Sequence, residues 1–245
     1  MLGSSHAASG MVVGLATLPW AAAGTPWWVQ AGWVSVCGGA AVLPDLDHPE
    51  SKVSRMWGPI TGALAVLVAR VAGGHRAGTH DAVLAPVAVA AGAWLASWWL
   101  PAFAVVVALT LGLVLRVTLL RRGGILTWMA NLTASAVLGW GLAQHPVLVD
   151  AGHTLLPVAL AIGVWTHQAG DLLTPEGIPV PIMWLFDPHR RVGLGLFTTG
   201  QQVERFLIGP ALALTVFVMA CWQAGIYSPA HLADLLHTWM LHRTR

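Results

Sequence analysis

The sequence predicts an all-α integral membrane protein, a single membrane-embedded domain over residues 1–245 with about seven transmembrane helices and an interfacial or re-entrant helix near 58–71. Three observations predict it. Hydrophobic residues make up 56% of the chain and charged ones 9%, with a mean hydropathy of +0.70, more apolar surface than one water-exposed domain of this size hides. Uncharged runs recur at roughly the 17 to 25 residues that a membrane helix needs. The 14 Trp against 1 Tyr match the preference of indoles for membrane interfaces. The runs are continuous and do not alternate, which argues against a barrel.

Taken in order, the runs that can cross are 7–23, 29–44, 82–99, 101–120, 125–144, 152–170 and 206–225. The first carries no opening Lys or Arg, so it reads as a retained helix and not as a secretory signal. The run at 58–71 begins at Gly58-Pro59 and is bracketed by Arg55 and Arg70, so it either spans or lies in the interface. If it does not cross, Lys52, Arg55, Arg70, Arg76, Arg116, Arg121, Arg122, Arg190, Arg191 and Arg205 fall on the side of the N-terminus, leaving Arg243 and Arg245 opposite. Cytoplasmic loops carry the Lys and Arg excess, so that side, with the N-terminus, is expected to be cytoplasmic. Residues 172–205, rich in Pro and Gly, then form a loop on this face, and 226–245 form a C-terminal tail.

Few charges and no polybasic block mean that nucleic acid is not an expected partner. Cys37 and Cys221 lie in apolar runs with no paired spacing and read as inert thiols. His145, His153, His231, His237 and His242 read as solvated interface residues.

The same topology gathers four polar segments onto one face: His6; "LPDLDHP" with Asp45, Asp47 and His48; "GHRAGTHD" with His75, Arg76, His80 and Asp81; and "HQAGD" with His167 and Asp171. Imidazoles with carboxylates are what a divalent cation takes, zinc foremost and manganese or iron also. His167 and Asp171 stand at i and i+4, one turn apart on one helix face. Asp45 and Asp47 are two apart in a turn held extended by Pro44 and Pro49, so one can bind an ion while the other binds a second or orients a histidine. Glycines 73, 74 and 78 let the chain turn tightly enough to converge His75 and His80. Ionisable groups at membrane depth are costly and mark function by default. Arg190 and Arg191 either hold an anion or anchor to anionic lipid, and Glu204 is either a helix-start acid or a general base.

These motifs, in this order and followed by "H..GDLLTPEGIPV", resemble the YdjM-like family of inner-membrane-associated, LexA-regulated metal-dependent hydrolases. The resemblance covers most of the chain. It implies a bacterial or archaeal inner-membrane hydrolase and carries over to His6, Asp45, Asp47, His48, His75, Arg76, His80, His167, Asp171, Thr174, Pro175 and Gly177. The stretch "RVGLGLFTTGQQVE" also looks like the family's tail, which raises Glu204, while Asp81 departs from the pattern and is not required as a ligand.

The expected centre holds one or two divalent ions on His6, Asp45, His80, His167 and Asp171, with Asp47 and His75 next. Arg76 is expected to stabilise developing negative charge, and Asp47 or Glu204 to act as general base. A lipid phosphoester entering from the leaflet is the first substrate class. The alternatives are a membrane amidase or lipid deacylase and, among non-enzymes, a divalent-cation transporter or a metal-stabilised scaffold.

Overall fold

The computed structural model describes residues 1–120, 124–187 and 190–226. Arg121, Arg122 and the tail beyond 226, with His231, His237, His242, Arg243 and Arg245, lie outside the described residues. The all-α expectation holds. Among the described residues, eight α-helices follow one another: α1 (Gly3–Ala21), α2 (Trp27–Ala40), α3 (Pro59–Val71), α4 (Leu84–Ser97), α5 (Leu100–Thr118), α6 (Ile125–Ala143), α7 (Pro146–Leu172) and α8 (Gly209–Gln223). Short 3₁₀ turns occupy Pro44–Asp47 and Gly78–His80, and a π turn at Glu204–Ile208 leads into α8. After α7 the chain forms a two-stranded antiparallel ladder of β1 (Ile178–Pro179) with β2 (Arg191–Val192).

Among the described residues, four helices are long and apolar enough to cross a membrane by length and composition: Leu100–Thr118, Ile125–Ala143, Pro146–Leu172 and Glu204–Gln223. The expected seven are not found, for local reasons. The run at 29–44 yields a helix of only 14 residues, because Pro44 and the two aspartates fold its end into the 3₁₀ turn. The run at 82–99 also yields 14 residues, starting at Leu84 and stopping at Ser97. At 1.5 Å per residue each is about 21 Å long, short of a hydrocarbon core of roughly 30 Å. Helix α1 has 19 residues, but Gly3, Ser4, Ser5 and His6 dilute its apolar run. Helix α3, the segment at 58–71, has 13 residues and is shorter still.

The helices that carry the polar motifs pack on one another: α1 on α2 and α7, α2 on α7, and α4 on α7. Small residues permit the approach. A Cβ on Gly163 of α7 would lie 2.5 Å from that of Ala40 on α2, so glycine here lets the backbones meet. The segment between the Pro44–Asp47 turn and α3 is pinned from inside: Trp57 Nε1 donates to Asn131 Oδ1 at 3.3 Å, and Asn131 Nδ2 donates to the Gly112 carbonyl at 3.0 Å. That pair ties the loop to α5 and α6 and leaves no polar atom of the buried Asn131 without a partner. Helix α5 packs along α6 as a hairpin, and α8 packs on α1.

Candidate metal centre

His6 starts α1, His167 and Asp171 end α7, and the two 3₁₀ turns supply Asp45, Asp47 and His80. These ends meet because α1 and α7 cross at a glycine: a Cβ on Gly170 would lie 2.7 Å from Met1 Sδ and 3.0 Å from His6 Cε1. The His6 and His167 rings stack with centroids 3.8 Å apart and planes 17° from parallel. Both rings, His80 and Asp171 are at most 1% exposed.

The polar atoms in the middle form a close set. Asp171 Oδ1 lies 3.2 Å from His6 Nε2, and Asp171 Oδ2 lies 3.5 Å from His167 Nε2 and 3.6 Å from His80 Nε2. His80 Nε2 and His167 Nε2 are 3.1 Å apart. Neither ring nitrogen of His6 has a hydrogen-bond partner, nor does Asp171 Oδ2. Two cations stand beside that carboxylate: the α-amino nitrogen of Met1 at 2.6 Å from Oδ1 and Arg76 Nη2 at 3.4 Å from Oδ2.

Behind this set lies Asp47, fully buried. Its Oδ1 accepts from His75 Nδ1 at 2.7 Å, and its Oδ2 accepts from the Arg76 backbone N–H at 3.1 Å and from the Thr79 hydroxyl. His80 Nδ1 stands 3.4 Å from the same Oδ2 and 3.0 Å from Thr79 Oγ1. Burial opposes ionisation of Asp47, but the hydrogen bonds from His75, His80 and Thr79 outweigh it and hold the carboxyl well below its usual range. Burial likewise pushes the His80 imidazole below its ordinary value against the pull of Asp47. A carboxylate gripping two Nδ1–H groups fixes both rings with Nε2 turned outward, the arrangement that orients metal-binding histidines. His167 is fixed the same way by a backbone acceptor, with Nδ1 at 2.8 Å from the Ala41 carbonyl.

Among the described residues, two groups of side chains could each hold an ion: His6, His167 and Asp171, all buried, and Asp45, His75 and His80, which open outward through Asp45 and His75. Asp45 Oδ1 lies 3.8 Å from His167 Nε2 and joins the groups. The residues fit a cation. Ligands about 2.0–2.2 Å from an ion lie roughly 3.3–3.6 Å from one another in a tetrahedral arrangement and roughly 2.8–3.1 Å in an octahedral one, which brackets the separations within the set.

Arg76 stands at the edge with φ +60, a left-handed conformation that a non-glycine residue adopts only under constraint. The Asp47 hydrogen bond to its backbone N–H supplies that constraint. Its Nη2 faces Asp171, Nη1 is 3.9 Å from Glu176, and Nη1 makes no hydrogen bond.

Not every site residue expected from the sequence is brought into the set. Glu204 is fully buried, but its oxygens accept from the backbone N–H groups of Leu2 at 2.6 Å and Gly200 at 2.7 Å. It thereby holds the start of α1, which carries His6. Asp47 lies in neither ion-holding group. Asp81 caps α4 through Val83 N and Leu84 N, both at 2.8 Å, and with its other oxygen takes Ile182 N at 2.6 Å and Trp184 Nε1 at 2.9 Å. His48 flanks the site, edge-on to His75 at 4.8 Å. Arg191 Nη2 reaches the His75 carbonyl, at 3.4 Å. Thr79 and the Ala41 carbonyl were not anticipated: a hydroxyl directly before His80 was the visible hint of the first, whereas a backbone carbonyl carries no residue signature.

The family model described as YdjM inner membrane protein matches residues 1–232. None of the curated proteins and none of the solved structures compared with the chain matches it.

Proposed function

The chain belongs to the YdjM inner membrane protein family, and from that premise we propose that it is a metal-dependent hydrolase acting on a phosphoester of a lipid-like substrate. The observation that carries this reading is the buried set of His6, His80, His167 and Asp171, whose ligand atoms stand 3.1–3.6 Å from their neighbours with several of them lacking any hydrogen bond. Orphaned polar atoms at such depth cost about 1–3 kcal/mol each, and one cation would satisfy Asp171 Oδ2 and a ring nitrogen of His6 together.

When bound, one or two divalent ions, zinc foremost with manganese or iron as alternatives, supply Lewis acidity and an activated water. The chain's own groups do the rest. Asp47, with its oxygens occupied, orients His75 and His80. Asp45, 24% exposed, is the accessible carboxylate, and we assign it the proton of the attacking water at Oδ1. Glu204 positions the segment bearing His6. Arg76 Nη1, buried and without an acceptor, binds a phosphoryl oxygen, and this guanidinium favours a phosphoester over an amide.

A lipid-like substrate is supported by an apolar groove of about 380 Å³ between the end of α3 and the start of α4, walled by Leu46, Val68, Val71, Leu84, Val89 and Trp184. Leu46 stands between Asp45 and Asp47, and Thr79, beside His80, also lines the groove. A hydrocarbon tail there ends next to the polar centre.

In the membrane we place the N-terminus and the centre on the cytoplasmic face, with the long helices crossing and α3, with Arg70 in its last turn, lying in the interface. The exposed Trp99 and Trp222 sit at the ends of α5 and of the Glu204–Gln223 span remote from the centre and then mark the opposite interface.

The test is metal analysis by mass spectrometry on protein purified without chelator, wild type beside a His167→Ala, Asp171→Ala double variant. We expect near-stoichiometric metal in the wild type and its loss in the variant. Equal, trace metal in both overturns the reading.

A further inference from the structure

A second polar cavity, of about 540 Å³, lies where the loop after Pro49 meets the end of α5 and the start of α6. Lys52, Arg55 and Arg116 supply its charge, Thr127 and Trp128 its other wall, and Glu50 is the one acid lining it. None of these residues belongs to either ion-holding group of the metal centre.

The wall is built so that its charge stays in place. Arg116 is 9% exposed and reaches across from α5 to donate through Nε to the Lys52 carbonyl at 3.0 Å and through Nη1 to the Leu120 carbonyl. Lys52 and Arg55 are exposed, and among the described residues no carboxylate pairs with either. Helix α6, of 19 residues, opens on Gly124 at the cavity with no side-chain cap, so the positive end of its dipole adds to the three cations. A cavity of this volume with this charge suits an anion, and a phosphate offers enough oxygens to engage several cationic donors at once.

We propose that this cavity is a binding site for a phosphate group, separate from the metal centre. The loop that forms it continues from the turn carrying Asp45 and Asp47, so an occupant there stands beside that turn. The phosphate can come from the headgroup of an anionic lipid or from a free phosphate anion.

The experiment is native mass spectrometry of the detergent-purified full chain with added phosphatidylglycerol or phosphatidylcholine, with and without millimolar inorganic phosphate. It compares the wild type with a Lys52→Gln, Arg55→Gln double variant and with Arg70→Gln, which removes an exposed charge outside the cavity. We expect phosphatidylglycerol adducts in the wild type, weakened roughly tenfold or more in the double variant, since each basic residue near an anionic surface contributes about a factor of five, and unchanged in Arg70→Gln. Persistence of the adduct against inorganic phosphate identifies a lipid headgroup; displacement by it identifies the free anion. Equal retention of phosphatidylcholine, an unchanged double variant, or an equal loss in Arg70→Gln overturns the proposal. No arm depends on metal or hydrolysis, so the result stands apart from the reading of the metal centre.

Discussion

Nε2 of His80 and Nε2 of His167 face each other at 3.1 Å across 87 positions of sequence. Each ring's Nδ1 has an acceptor, Asp47 with Thr79 for His80 and the Ala41 carbonyl for His167. Neutral rings so placed point two lone pairs at one another, which is repulsive unless a cation shares them. A proton satisfies that pair alone. A bound metal ion would also engage His6 and Asp171 Oδ2, which have no hydrogen bond.

Protonation of His80 is one step by which acid would compete with a bound metal. Burial depresses its pKa below the ordinary 6.5, so the folded protein resists the proton while the unfolded chain takes it up below 6.5. Protonation of His80 therefore competes for the metal only below about pH 6.5. Through this group the metal-free protein should also lose stability as pH drops below that value. Thermal unfolding of the metal-free protein across a pH series checks this; stability that stays level below pH 6.5 contradicts it.

Asp47→Asn tests the orienting role. Asparagine keeps the shape of the side chain but replaces one acceptor oxygen with a donor, so the grip on His75 and His80 cannot survive intact. Metal affinity should fall roughly 10- to 100-fold while the protein remains folded. Competition with a calibrated chelator measures it. Complete loss of metal, equal to that of Asp171→Ala, would instead make Asp47 a direct ligand.

The polar positions were legible in the sequence because a chain this apolar tolerates few of them: His6, Asp45, His80, His167 and Asp171 stood out against uncharged surroundings. The i, i+4 spacing of His167 and Asp171 by itself places them on one helix face. Which aspartate of "LPDLDHP" turns inward was not legible, because residues two apart in a 3₁₀ turn diverge by an amount that only tertiary contacts set. Asp47 ends up buried among four donors and Asp45 at the rim. The span count failed for a related reason. Hydropathy reports how long a chain stays apolar, whereas helix length depends on where Pro44 and Asp81 impose turns and caps. The apolar residues near those breaks, Val42 and Leu46 among them, enter a core against α5 and α3 without extending a helix.

Arg76→Gly separates backbone from side chain. The left-handed φ of +60 costs a non-glycine residue of order 1 kcal/mol or more, so the glycine should fold at least as stably in spite of losing the ion pair to Asp171. Metal content should be retained, and affinity for inorganic phosphate at the centre should drop at least tenfold. Arg76→Lys keeps the charge without the planar fork and should recover only part of that affinity. Phosphate binding unchanged in both variants removes Arg76 from the substrate site.

Asp81→Ala should reverse the pattern of a ligand substitution. One Asp81 oxygen caps α4 and the other holds Ile182, whose φ of +66 is unusual for a β-branched residue, together with the Trp184 indole. Burial disfavours the charge, yet the hydrogen bonds from Ile182, Leu84, Val83 and Trp184 keep the carboxyl below its usual range. Losing a cap costs about 1 kcal/mol and losing hydrogen bonds to a charged acceptor about 1.5–3 kcal/mol, so a destabilisation of about 3 kcal/mol is expected. Trp184, released from its tether, should also move away from the glycines at 73 and 78 that it packs on, raising protease cleavage in residues 180–187. Metal per folded molecule should not change, because no Asp81 oxygen points into the centre. Thermal unfolding and metal analysis of the same Asp81→Ala sample, set beside Asp171→Ala, check both halves. Loss of metal without loss of stability in Asp81→Ala would make it a ligand after all.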